Sequence, residues 1–187
     1  MLMPFSLLMP QSLIISLDAD QFLHERIEHL IHSGFKTIEI CTTDTLFLQE
    51  IIQQYPQAYI GAGGIIDVEQ LESCYQAGVH FVSSPGFLPA LAQTANIYSM
   101  NYLPGIATLS EAMAVLNFGF NYARPFPADL SFCSLLSHCI PQLNLIPADI
   151  AWEEKEFFLN LASVRAVSIH NPTPQLLTRT TMPKIEV

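Results

Sequence analysis

Residues 13–41 read LIISLDADQFLHERIEHLIHSGFKTIEIC, and this stretch decides the fold. Leu13–Leu17 is an apolar run of strand length. Behind it, Phe22, Leu23, Ile27, Leu30 and Ile31 recur at helical spacing, so one face of the segment is apolar and the other polar. Gly34 follows as a C-cap candidate, because glycine enters the left-handed region that ends a helix without steric cost. Thr37–Cys41 then reads as a second strand. A strand, a core-facing helix and a strand form the repeating unit of an α/β fold.

The unit recurs outward from there. Phe47, Leu48, Ile51, Ile52 and Tyr55 mark a second core-facing helix stopped by Pro56, and Ala58–Gly61 leads into a helix capped by Asp67. In that helix Val68, Leu71, Cys74 and Tyr75 are expected inward, with Gly78 closing it. Phe81–Ser83, Tyr98–Tyr102, Tyr122–Phe126, Leu143–Ile146 and Ala166–Ile169 supply five more strands, and Thr108-Leu-Ser-Glu111 predicts a capping box. Eight strands interleaved with helices predict a (β/α)8 TIM barrel over residues 1–187 as a single domain, with an open doubly wound sheet as the structural alternative. The length of 187 residues is below the roughly 200–250 usual for such barrels, so trimmed termini are expected: no N-terminal helix and little of the eighth, since 171–187 is rich in Pro and Thr.

Half of the residues are hydrophobic, enough for one sizeable core. The net charge of −10 argues against nucleic acid or an anionic membrane as partner and leaves few cations for phosphate. The N-terminal MLMPFSLLMP lacks the basic flank of a signal peptide, and a soluble cytoplasmic protein is expected. Cys41, Cys74, Cys133 and Cys139 show no C-x-x-C pairing and read as free buried thiols.

The segment Asn121–Asp129, NYARPFPAD, resembles the sixth strand of the 2-keto-3-deoxy-6-phosphogluconate / 2-keto-4-hydroxyglutarate (KDPG/KHG) aldolases, where a pattern close to F-K-F-F-P-A-E carries a Schiff-base lysine. Ile60-Gly-Ala-Gly63 is similar to the family's V-G-A-G-T, Ser84-Pro-Gly86 to its S-P-G, and Leu103-Pro-Gly-Ile-Ala-Thr108 to its I-P-G-I-S-T. Short matches in the right order and spacing make chance a poor account of the set. The resemblance implies a TIM barrel that cleaves a 2-keto-3-deoxy sugar acid or 4-hydroxy-2-oxoglutarate to pyruvate and an aldehyde, without a cofactor or metal, as a trimer. It places Glu39 at the general acid/base position, where burial would raise the carboxyl pKa toward neutrality. It places Thr43, Gly64, Pro85, Phe126 and His170 around the substrate.

The departures from the family pattern are chemical. Arg124 stands at the lysine position, and a guanidinium stays protonated and offers no lone pair for attack on a ketone. Cys41-Thr-Thr-Asp44 lacks the arginine that grips the substrate carboxylate, and Gly64 replaces a threonine hydroxyl. Where the family has phosphate-binding glycine turns, this chain has Pro147-Ala-Asp-Ile150 and Ile169-His-Asn-Pro172; an aspartate repels phosphate and a proline has no N–H to offer. Lys36 falls at a strand entrance, Lys155 in an acidic helical run and Lys184 in the tail. His24, His29, His32, His80 and His138 read as surface residues, whereas His170 is either a loop histidine or a pocket residue beside Arg124 and Glu39. The combined expectation is a KDPG/KHG aldolase-like protein without Schiff-base activity, retained to bind a small carboxylate or 2-oxo acid. A lyase working by another route and a structural or regulatory oligomer are the alternatives.

Overall fold

All eight expected strand positions are filled, the fifth with shifted bounds, and all strands pair in parallel. In a computed structural model that describes residues 12–178, the first half of the chain runs β1 (Leu13–Asp18), α1 (Leu23–His32), β2 (Thr37–Cys41), α2 (Thr45–Gln54), β3 (Tyr59–Ala62), α3 (Val68–Ala77), β4 (Phe81–Ser83) and α4 (Pro89–Ile97). The second half runs β5 (Tyr102–Leu103), β6 (Gly105–Ile106), α5 (Leu109–Asn117), β7 (Tyr122–Pro125), α6 (Leu130–Cys139), β8 (Asn144–Leu145), α7 (Lys155–Leu159), β9 (Val167–His170) and α8 (Pro174–Thr178). Lys184, the expected missing N-terminal helix and residues 179–187 lie outside the described residues.

The strands line up as β5-β4-β3-β2-β1-β9 and β6-β7-β8. β5 and β6 are one line of chain interrupted at Pro104, which lacks the N–H a ladder needs. Gly105 pairs with Arg124, and the Arg124 N–H donates to the Pro104 carbonyl at 2.8 Å, so the first sheet passes into the second. On the far side the Arg165 N–H donates to the Leu145 carbonyl at 3.0 Å and the Ser168 N–H to Pro147 at 2.8 Å, joining β8 to the approach of β9. The ring is closed. It is a (β/α)8 barrel with eight strand positions, and the open-sheet alternative is set aside by these bonds.

Side chains alternate across each strand, so positions two apart share a face. One layer inside the ring is apolar: Ile14, Phe81, Leu103, Ile146 and Ala166 pack as a separate buried cluster. Gly61 makes room for it, because a Cβ there would overlap the Phe81 ring. Two residues further along the same strands come Ser16, Ser83 and Ser168, all buried, and with them the candidate site begins. The larger core fills the space between ring and helices.

Helix starts follow the local signals. Asp44, Asp67 and Asp129 accept from the N–H groups of Phe47, Gln70 and Phe132 at 3.1, 2.8 and 2.7 Å, and Thr108 with Glu111 forms the full capping box. Gly34 and Gly78 take positive φ where α1 and α3 end.

Several expectations need correction. The fifth strand begins at Tyr102, not Tyr98; Tyr98 ends α4 and stacks on Tyr75 with ring centroids 4.4 Å apart. That stacking holds Tyr75 on the exposed side of α3, and Phe22 precedes the first turn of α1 and is likewise exposed. Cys74 and Cys133 are buried as expected, but Cys41 and Cys139 are exposed. Among the described residues no helix is long and apolar enough to cross a membrane.

Candidate functional site

Parallel register brings one polar group from each of several strands to the same level. Ser16 pairs with Glu39 across β1 and β2, and Ser16 pairs with His170 across β1 and β9. Glu39 is 2 % exposed and its carboxylate is fully engaged. Oε1 accepts from Ser16 Oγ at 2.9 Å and from one Arg124 guanidinium nitrogen at 2.9 Å; Oε2 accepts from Ser83 Oγ and from the other guanidinium nitrogen, each at 2.7 Å. Because the single Ser16 proton points at Glu39, Ser168 is the donor in the 2.9 Å contact between the two serine hydroxyls. Hydrogen bonds therefore run one way, from Ser168 through Ser16 to Glu39. Gly63 is part of the same fit, since a Cβ there would sit 2.8 Å from Glu39 Oε1.

Burial on its own would raise the Glu39 pKa. The charge of Arg124 and the hydrogen bonds from Arg124, Ser83 and Ser16 together outweigh it, and the carboxyl is held below its ordinary value. The expectation of a carboxyl raised toward neutrality is thus reversed: a two-pronged guanidinium 2.7 Å away stabilises the charged form more than burial opposes it.

A cavity of about 250 Å³ opens beside the pair, lined by Glu39, Arg124, Gly64, Pro85, Phe126 and His170 among the expected residues. Thr43 is not on its wall. β2 ends at Cys41 and the Thr42 N–H turns back to the Ile40 carbonyl at 2.9 Å, carrying Thr43 away so that Asp44 can cap α2. Cys41 takes that place in the lining. Ser16, Ser83, Ser84, Ser168, Ala148 and Asp149 complete the wall; Ser84 and Asp149 lie in the motif turns read from the sequence, whereas Ser16, Ser83 and Ser168 were not expected there, and their signal was a hydroxyl breaking an apolar strand at an inward position.

Asp149 takes φ of +59°, which aspartate tolerates better than most residues, and presents a carboxylate to the cavity. Pro172 lines a different cavity, with Arg26 and His29. Among the described residues no lysine lines the Glu39–Arg124 cavity. Lys36 immediately precedes β2, at the opposite end of the strand from Cys41, and Lys155 starts α7, paired with Glu156 and lying over Trp152. Of the histidines expected at the surface, His24, His29 and His80 are only partly exposed, whereas His32 and His138 are exposed.

The architecture and the motifs have counterparts in known proteins. The family model described as KDPG and KHG aldolase matches residues 8–170. A 2-dehydro-3-deoxy-phosphogluconate aldolase of Treponema pallidum (strain Nichols) is 35% identical over 105 residues, covering 54% of this chain and 50% of that protein. The chain spans about half the length of the curated relatives it matches. A structure of KDPG aldolase from Legionella pneumophila, with pyruvate captured at low pH as a covalent carbinolamine intermediate, superposes with a TM-score of 0.78 at 23% identity over 92% of this chain and 89% of that one. The 2-keto-3-deoxy-6-phosphogluconate aldolase of Zymomonas mobilis ZM4 with 3-phosphoglycerate gives a TM-score of 0.81 at 21% identity, covering 93% and 90%.

Proposed function

Because the chain belongs to the KDPG and KHG aldolase family, we propose that it is a divergent member that binds a small 2-oxo acid without forming a Schiff base, Arg124 standing where the family carries its lysine. The observation that carries this reading is the closed pair: Arg124 spends two donors on Glu39, and among the described residues no amine lines the cavity. A carboxylate that is held ionised and accepts four hydrogen bonds is a poor proton donor at neutral pH, so Glu39 orients Arg124 rather than shuttling protons. Arg124 Nε is buried and has no hydrogen-bond partner among the described residues, which leaves one charged donor for a ligand carboxylate. The cavity of about 250 Å³ is below the roughly 300–1,000 Å³ of pockets for drug-sized ligands, and so favours a short oxo acid over a phosphorylated six-carbon one.

Pyruvate with borohydride is expected to leave the protein's mass unchanged. A stoichiometric reduced adduct mapped to Lys36, Lys155 or Lys184 would show that a lysine reaches a bound ketone and would sink the proposal. Arg124→Lys should give at most weak trapping, because a lysine facing the Glu39 carboxylate is held protonated and because residues acting as a unit do not recover one at a time.

Thermal denaturation tests the binding half of the reading. Pyruvate should raise the melting temperature by preferential binding to the native state, and a phosphorylated keto acid should raise it no further, since Asp149 adds repulsion at the cavity wall. A clear calorimetric preference for the phosphorylated compound would contradict this assignment.

A further inference from the structure

The ends of three neighbouring strands carry a group of side chains that the Glu39–Arg124 pair does not use. Asp18 closes β1, Cys41 closes β2 and pairs with Asp18 in register, and His170 closes β9 on the other side of β1. One carboxylate oxygen, the thiol sulfur and a ring nitrogen, one from each residue, lie within 4.8 Å of one another. We propose that Asp18, Cys41 and His170 form a binding site for a single divalent transition-metal ion, with zinc as the best chemical fit.

The donor set decides the metal. Thiolate plus imidazole is soft enough to prefer zinc, cobalt or iron over magnesium or calcium, which take oxygen ligands. Three protein ligands leave a fourth tetrahedral position for water or a bound anion. Cys41 and His170 also line the Glu39–Arg124 cavity, so an ion held between them lies on its wall.

The carboxylate is already oriented. Asn171 donates from Nδ2 to Asp18 Oδ2 at 2.7 Å, while its Oδ1 accepts from the Asp18 N–H at 3.2 Å and from Arg26 at 2.6 Å. Those two donors fix which way the amide points. Asp18 Oδ1 is thereby left facing His170 Nε2 at 3.2 Å. Such outer partners hold ligands in place at known metal sites. Two further carboxylates, Glu39 and Asp149, line the same cavity wall as Cys41 and His170, with Arg124 as the cation there. Coordination would deprotonate the Cys41 thiol.

The metal-binding inference does not depend on the 2-oxo acid reading, and its test needs no substrate. Full-length protein treated with chelator and dialysed against Zn²⁺ should retain one equivalent by elemental analysis, and Co²⁺ in its place should show a thiolate-to-metal charge-transfer band. Asp18→Asn and His170→Ala should each weaken binding at least about tenfold, and Cys41→Ser should also abolish the charge-transfer band. Site-resolved alkylation of the wild type keeps the test decisive even if a variant folds poorly: Zn²⁺ should protect Cys41 and leave the exposed Cys139 reactive. Substoichiometric retention, no charge-transfer band, or equal alkylation of Cys41 with and without Zn²⁺ would overturn the proposal.

Discussion

Replacing Glu39 with glutamine is expected to destabilise the fold by about 3–5 kcal/mol, the scale for removing one member of a buried ion pair. The loss is large because the survivor has nowhere to go. Arg124 is 8 % exposed, sits in a strand, and would face an amide in place of the charge that offsets its own desolvation. Urea unfolding of the wild type and Glu39→Gln measures it; a difference below about 1 kcal/mol would mean that solvent or a ligand already shares the guanidinium. The double replacement Glu39→Leu with Arg124→Met should cost far less than either charge removed alone, since two apolar residues of similar volume need no partners.

Acid should reproduce part of the effect. The folded carboxyl binds its proton less readily than the ordinary value of 4.5, so the unfolded chain takes up the proton first. The stability from this group is therefore fully present above about pH 4.5 and is lost as pH falls from there through the lower folded value. Glu39→Gln should lack this acid-dependent part.

Gly105→Ala is expected to destabilise by about 3 kcal/mol or more, at the upper end of the range for overpacking. The added methyl would fall on the Pro85 carbonyl and lie 2.7 Å from the Gly86 nitrogen, and both are backbone, which cannot rotate aside as a side chain can. Ser84-Pro-Gly86 and Leu103-Pro-Gly105 thus interlock at the end of β4 and the junction of β5 with β6. Gly86→Ala is the control. Nothing lies within 4 Å of a Cβ at that position and its φ is ordinary, so it should stay within about 1 kcal/mol of wild type by urea midpoint. Equal effects of the two substitutions would refute the interlock.

Strands such as Leu13–Leu17 and Thr37–Cys41 were legible because apolar runs of that length bounded by Asp or Gly have few other uses. Tyr98–Tyr102 misled because its apolar residues end a helix, while the true strand contains Pro104, a residue that ordinarily argues against one. Glu39 and Arg124 stood out through motif context. The direction of the Glu39 pKa did not, since it depends on whether the fold brings Arg124, 85 positions further along the chain, within reach. Ser16, Ser83 and Ser168 were hidden for a simpler reason. A serine in an apolar strand carries no label until register shows which groups share its level.

The two members of the buried pair belong to unequal halves of the ring. Glu39 stands on β2, among β1–β4 and β9, strands of three to six residues, and Arg124 on β7, flanked by the two-residue strands β6 and β8. Short ladders open most easily, so amide hydrogens of β6–β8 ought to exchange through local breathing while those of β1–β3 wait for larger excursions. The pair is a clasp across that boundary. Any anion that draws Arg124 away from Glu39 would loosen the weaker half as it bound, and occupancy of the cavity would then be felt as motion in strands it never touches.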